Sequence, residues 1–519
     1  MLFRVARQQE FCRRGCFRLD FGMGKGYAFM VLMQENRFMN SVLVSIASLM
    51  LLAADRLEEK RAVAQIRVAA EEGEEMAQFA LGICYLQGQG VTKDAAEAVA
   101  WFRMAANQGH AEAQFFLGGC YYLGDGVDKD VAEACKWFKT AATEQNHMDA
   151  QYMLCSFYHF GDEGIAQDVA EAFKWGKKAA EQGYVAAQFF LGGCYYSGDG
   201  VEKNPTEATT WWRKAAEQGD AGAQYGLGLC YAQGNGVIQS NVEAAKYFRM
   251  AAEQGNAEAQ NKLALFYYED HGLGKNDAEA VKWFTAAAEQ GIAESQFHLG
   301  VCCLDGRGVK KDAAAAATWF RKAAEQGNAR AQSNLGMGYL DGNGVKQDSA
   351  EAVKWFRKAA EQGHDKAQYN LGLCYMKGDG VDDDAVEAVK WWKKSAEQGN
   401  AGAQCDLGLC YVRSAGVKED YAEAAKWFSK SAEQGDVRAQ YFLGVCYMNG
   451  YGINKDVTKA AALWKKAAEQ GNVDAQYNFG LCCLTGDGVS KNQTEAIKWF
   501  QKAAEQGETK AADILKDLR

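Results

Sequence analysis

The stretch from Ala367 to Gly399, AQYNLGLCYMKGDGVDDDAVEAVKWWKKSAEQG, decides the fold, because the chain repeats it. Its Leu371 has counterparts at Leu81, Leu117, Leu154, Leu191, Leu227, Leu263, Leu299, Leu335, Leu407, Leu443 and Phe479. Successive intervals are 36 residues, except two of 37 that carry single extra residues near Thr143 and at Glu163. Twelve units therefore run from about Glu74 to Gly507. This self-similarity overrides the several globular domains that length alone suggests for 519 residues.

Each unit contains two helical periods. In the fifth, Ala223, Leu227, Cys230 and Tyr231 fall at i, i+4, i+7 and i+8, the spacing of one helical face. We term this helix A. After a glycine loop, Ala244, Tyr247, Phe248, Ala251 and Ala252 repeat the pattern as helix B. Loops such as Gly198-Asp199-Gly200-Val201 supply the left-handed residues that reverse the chain, and the recurrent Glu-Gln-Gly ends helix B. Helix B opens on Asp130 with Glu133 three residues later, a spacing that predicts a reciprocal capping box and recurs in ten units. The seventh and eleventh units place Ala315 and Lys459 at the acidic position. The single proline, Pro205, follows Asn204 at the first helical position, where its missing N–H costs nothing.

Composition excludes several classes of function. With 48% apolar and 24% charged residues the chain has material for a large core and is not disordered. Its 56 glycines against one proline rule out collagen-like and proline-rich segments. A formal net charge of -10 argues against affinity for nucleic-acid phosphates.

The string Ala-Gln-x-x-Leu-Gly-x-Cys-Tyr-x-x-Gly-x-Gly-Val-x-x-Asp-x-x-Glu-Ala-x-x-Trp-Phe-x-x-Ala-Ala-Glu-Gln-Gly resembles the Sel-1-like repeat (SLR) family, a cousin of the tetratricopeptide repeats. The glycine loop departs from that pattern at Asp270 and Ser414, and Tyr247 and Leu463 replace the Trp of helix B. The resemblance implies an all-α fold, an α/α solenoid of antiparallel helix pairs wound as a right-handed superhelix. It also implies a non-enzymatic scaffold or adaptor for protein or peptide partners, with no cofactor. A 36-residue unit cannot bury its apolar faces alone, so stacking on neighbours is the physical requirement behind that architecture. Terminal caps are expected at Leu57–Gly73 and Thr509–Arg519.

A second stripe runs beside the apolar face of helix A. Counted from the aligned Leu, it occupies positions −5, −1 and +6, as in Glu112, Phe116 and Leu123. It is apolar at Phe116, Leu123, Met153, Phe160 and Phe190. It turns acidic at Glu258, Glu269, Glu294 and Asp305, then basic at Arg330, Lys366, Lys377, Arg413 and Arg438. The resemblance puts helix A on the concave side, so this stripe is the expected groove for an extended peptide or partner helix. The competing reading makes Phe116, Met153 and Phe190 fillers between repeats.

Chemical constellations are sparse. Nine cysteines, Cys84, Cys120, Cys194, Cys230, Cys302, Cys374, Cys410, Cys446 and Cys482, share one inward position of helix A and read as small buried hydrophobes. Stacked copies about 10 Å apart exceed the roughly 7 Å Cα limit for a disulfide. Relatives with a disulfide inside each repeat need a second regularly placed cysteine, which this chain lacks. Cys135 with Cys155, and Cys12 with Cys16 as half of a zinc site, are the remaining pairings considered. The six histidines form no H-E-x-x-H pair, Gly22–Gly26 lacks the residues of a phosphate loop, and Asp382–Asp384 lacks the register of a calcium loop. No nucleophile stands with a base.

Residues 1–54 fall outside the repeats. Residues 1–40 carry seven basic and three acidic residues, net +4, and Val42–Ala54 is an uncharged run of 13. That run is short for a membrane span. Three readings stand: a cleaved export signal, an apolar cap or membrane-associating helix, and a translated leader. An exported or periplasmic, membrane-associated or cytoplasmic location follows from which holds. The alternative function is accordingly an exported envelope protein with glycan or peptidoglycan binding or a hydrolase activity.

Overall fold

The computed structural model describes residues 56–518; the readings of residues 1–54, Cys12 and Cys16 included, lie outside them. The described residues form twenty-six α-helices, from α1 (Arg56–Glu71) to α26 (Thr509–Asp517), and no named strand. After α1 the helices alternate A and B. They group into two compact units divided between Asn276 and Asp277. Within each unit every helix packs on the one before and the one after it. The chain is an all-α solenoid of twelve helix pairs.

The expected faces are the buried ones. Ala223, Leu227 and Cys230 of helix A are at most 1% exposed, as are Ala244, Phe248, Ala251 and Ala252 of helix B. At the ends, Val63 and Ala70 of α1 pack on Leu81 and Cys84, while Ala511 and Leu515 of α26 are buried. In the Trp-Phe pairs of helix B the Phe is the fully buried member, as at Phe356 and Phe428. The Trp lies at the edge under a lysine one turn on, such as Lys358 Nζ 4.1 Å above the Trp355 ring.

The glycine after the aligned Leu sits inside helix A and is not punctuation. A Cβ on Gly118 would stand 2.9 Å from the ring of Phe138, and one on Gly192 would stand 2.2 Å from Trp212. Glycine here is the socket for the aromatic ring of the following helix B. The third repeat proves the rule by inverting it. Helix B there carries Gly176 where its neighbours carry a ring, and helix A carries Cys155 where they carry glycine. A Cβ on Gly176 would lie 3.0 Å from Cys155 Sγ and 2.9 Å from the Phe190 ring, so those two side chains fill the space the missing ring leaves.

A glutamine relay fixes the spacing of repeats. Gln188 donates to the Ala180 carbonyl and accepts from Gln218 at 2.8 Å, and the same pair recurs as Gln332 with Gln362 and Gln404 with Gln434. The Gln of Ala-Gln and that of Glu-Gln-Gly thus satisfy each other in a buried setting where an unpaired amide costs about 1–3 kcal/mol. The extra residue near Thr143 lengthens α5 (Val131–Glu144) to 14 residues and breaks this relay. Gln114 Oε1 is left buried with no partner, and Asn146 takes the glycine position at φ 54°.

Two expectations change. The capping Asp does accept from the helix, as Asp130 does from the Glu133 N–H at 2.9 Å. The reciprocal half of the box is not made: the Asp130 N–H goes to the Tyr121 carbonyl of helix A, and Glu133 pairs with Lys136. The tight AB hairpin supplies an acceptor that an isolated helix would lack. Asp270 and Ser414, which depart from the glycine pattern, keep the loop by adopting φ 57° and 55° themselves. The Asp270 carboxylate accepts from the Gly274 N–H, and the Ser414 hydroxyl donates to the Val417 carbonyl.

Candidate functional site

The stripe beside the apolar face of helix A divides by position. At −1 it is core. Phe116 is 6% exposed, Met153 0% and Phe190 6%. Phe116 packs edge-on against Phe79 at 5.4 Å, and Phe190 meets His159 at 5.2 Å besides covering Gly176. Of the two readings of these residues, partner-facing or filler between repeats, their enclosure by neighbouring helices fits the filler. At +6 the side chains stay out: Leu123 at the end of α4 (Ala111–Leu123) is 52% exposed and Phe160 at the end of α6 (Met148–Phe160) is 37% exposed.

Acidic and basic positions of the stripe meet at two places. Glu294 of the seventh repeat hydrogen-bonds His298 at 3.1 Å and pairs with Arg330 of the eighth. The His298 bond first, then Arg330, holds the Glu294 carboxyl down at about 2. The Arg330 guanidinium also lies 4.5 Å over the Phe297 ring. Arg438 bonds the buried Asp406 at 2.9 Å, and Asp406 accepts from the Tyr369 hydroxyl at 3.0 Å. Opposite charges in adjacent repeats have therefore joined across the interface between them. Glu258 is half-buried, and burial raises its carboxyl. Lys366 and Arg413 are exposed.

Sequence reading missed the residues that cap helix A. Neutral imidazoles of His110, His147 and His364 accept at Nδ1 from the backbone N–H groups of Ala113, Ala150 and Ala367. Asn or Asp does this elsewhere, as at Asn328. Burial lowers His147, and it pushes the nearby Asp149 carboxyl up to about 6. The signal was present in the sequence as a His, Asn or Asp three residues before most copies of Ala-Gln, Glu74, Tyr184 and Ile292 being the positions without such a cap, but without the helix start its role was invisible.

The fourteen described cysteines are free and buried. Burial pushes their thiols up, Cys84, Cys374 and Cys446 each to about 11, so they pack as hydrophobes and are poor nucleophiles. Among the described residues no group of three or more His, Cys, Asp or Glu side chains could hold a metal. No described helix is long and apolar enough to cross a membrane.

The geometry is that of stacked AB hairpins held by a glycine socket and a glutamine relay, and a family profile matches that unit twelve times. The Sel1 repeat covers residues 75–110, 111–146, 149–184 and 185–220, then runs without a break in 36-residue steps from 221 to 508. The chain belongs to the Sel1 repeat family. Members of that family are generally non-enzymatic scaffolds that bind protein partners. Among solved structures, the Sel1-repeat solenoid resembles a protective antigen of uropathogenic Escherichia coli with an SLR fold. Identity is 35% over 88% of this chain and 90% of that one, with a TM-score of 0.66. A Sel1 repeat protein from Oxalobacter formigenes is 32% identical over 64% of this chain and 93% of its own, with a TM-score of 0.48. Among curated proteins no sequence matches.

Proposed function

We propose that this Sel1-repeat protein is a non-enzymatic adaptor that holds a protein or peptide partner along its helix A surface. The observation that carries the reading is the exposed apolar pair Leu123 and Phe160, at the same position of adjacent repeats. Phe160 packs edge-on against His159 on one side only, and both side chains leave apolar area at the C-terminal end of an otherwise well-buried helix that a partner segment would cover. In the second unit, helix A residues Lys366 and Arg413 carry exposed positive charge. Glu258 in the first unit, and Glu294, Arg330 and Arg438 in the second, are the half-buried or ion-paired helix A positions of the same stripe.

The test is crosslinked affinity capture from the native source with the full chain beside the variant Leu123→Ser, Phe160→Ser and Arg413→Glu. These side chains are exposed, so the variant is expected to fold. Loss of a stoichiometric protein partner from the variant supports the adaptor and its surface; capture of the same partner by both refutes the surface. A second reading, an envelope protein, draws on the Escherichia coli relative being a protective antigen. Proteinase accessibility on intact cells, with mapping of the native N-terminus, tests it: a protected protein beginning at Met1 or Met39 counts against it.

A further inference from the structure

A cavity of about 110 Å³ opens on helix A of the eighth repeat, α16 (Ala329–Asp341). Its floor is apolar and well buried: Ala316, Ala317 and Phe320 of the preceding helix B, α15 (Ala313–Glu325), with Leu335 of α16. Its rim carries Asn334 and Asp341, which are the −1 and +6 positions of the stripe, and the exposed Met337.

The cavity exists because Gly338 falls below the size its position takes in every other repeat, while Ala317 across from it is small as well. Of the twelve copies of the inward helix A position, nine are cysteine, two are the larger Phe157 and Phe266, and one is Gly338. The next helix pair along shows the filled state, with Val353 and Cys374 where this one has Ala317 and Gly338, both well buried. The deficit is two heavy atoms at each site. A glycine inside a helix is less favourable than alanine, and at Gly338 no aromatic ring takes the place of the missing side chain. A Cβ there would meet only Asn343 and Val345 within 4 Å.

Four heavy atoms are also the side chain of leucine or isoleucine. Two exposed acids lie on the same stripe, Asp341 on the rim of the cavity and Asp305 at the matching position one repeat earlier, next in sequence to the lining residue Leu304. We infer that the α15–α16 cavity is an anchor pocket for a four-carbon aliphatic side chain of an extended partner segment, with a lysine or arginine within two residues of it. The apolar floor takes the side chain, the Asn334 and Asn343 amides face the segment's backbone groups, and the two carboxylates select the basic neighbour. The inference rests on helix A being the partner-facing surface.

The test selects a phage-displayed random octapeptide library on the immobilised full chain, then measures one enriched peptide by fluorescence anisotropy. Enriched sequences are expected to share a Leu or Ile with Lys or Arg within two positions. Replacing that aliphatic residue by Ala removes three methylene equivalents, which at about 0.8 kcal/mol each is a loss of about 50-fold in Kd. Gly338→Cys restores the residue that nine repeats carry at this position, and it is expected to fold at least as well while weakening the peptide by tenfold or more. Equal binding to Gly338→Cys, or no enrichment of an aliphatic–basic pattern, overturns the pocket. The Leu123, Phe160 and Arg413 variant separates the two readings, because its change lies repeats away and leaves this pocket intact. Octapeptide binding that survives in that variant, beside native capture that is unchanged, refutes only the adaptor surface at the second and third repeats.

Discussion

Phe190→Ala is the sharpest challenge to the idea that the −1 aromatic is a core filler. Phe190 is 6% exposed and its ring covers Gly176, which has no side chain of its own. Truncation removes on the order of 100 Å² of buried apolar area, worth about 2.5–3 kcal/mol at roughly 25–30 cal/mol/Å². Gly176 cannot collapse into the space, so a cavity contribution adds to this, and the expected loss is about 3–5 kcal/mol. Truncation of Asn334 or Asn370 at the same repeat position is expected to cost less than about 1 kcal/mol, because each is a half-buried polar side chain and the preceding helix B keeps its own ring, Phe320 or Phe356. The triple variant Cys155→Gly, Gly176→Phe and Phe190→Asn rebuilds the arrangement that the eighth and ninth repeats use, and it is expected to recover most of the loss. Repeat arrays do not unfold strictly as one unit. The assay therefore pairs urea denaturation by circular dichroism with hydrogen exchange read over residues 148–197. A Phe190→Ala protein within about 1 kcal/mol of wild type, or a triple variant less stable than the single one, refutes the reasoning.

Burial raises Asp149 from 3.8 to about 6, so the folded state binds the proton more tightly than the unfolded chain, and stability falls as pH rises from about 4 to about 6. Asp149→Asn is expected to remove that dependence and to stabilise the protein at pH 7 by about 2–3 kcal/mol, measured by melts across pH. Glu294 is shifted the other way, from 4.5 to about 2, so its contribution is present above about pH 4.5 and disappears as pH falls towards 2. Because Glu294 is about one-third exposed and screened, Glu294→Gln is expected to cost only about 1 kcal/mol at neutral pH by urea titration. Ser414→Gly relieves a left-handed residue at φ 55° and is expected to stabilise by about 0.5–1 kcal/mol in calorimetry, less the hydroxyl bond to Val417.

The sequence by itself determined the twelve units, their two helices, the apolar faces and the cap of helix B, because each of these is a property of spacing along one chain. Leu227 and Phe248 fall on buried faces for the same reason that they recur at fixed intervals. Even the role of cysteine followed, since nine copies at one inward position leave little but packing to explain them. What spacing could not settle was which neighbour a side chain meets in the adjacent repeat. Phe116, Met153 and Phe190 share a helical face with Leu123 and Phe160, yet the first three are enclosed and the last two are open, because neighbouring helices cover the middle of helix A and leave its C-terminal end. Glu294 and Arg330 stand 36 residues apart in sequence and read as opposite ends of a charge gradient. Stacking sets them side by side, where attraction across a partly desolvated interface joins them. The cavity beside Gly338 has the same origin: its small residues were visible in the chain, but only packing of α15 on α16 turned them into one space.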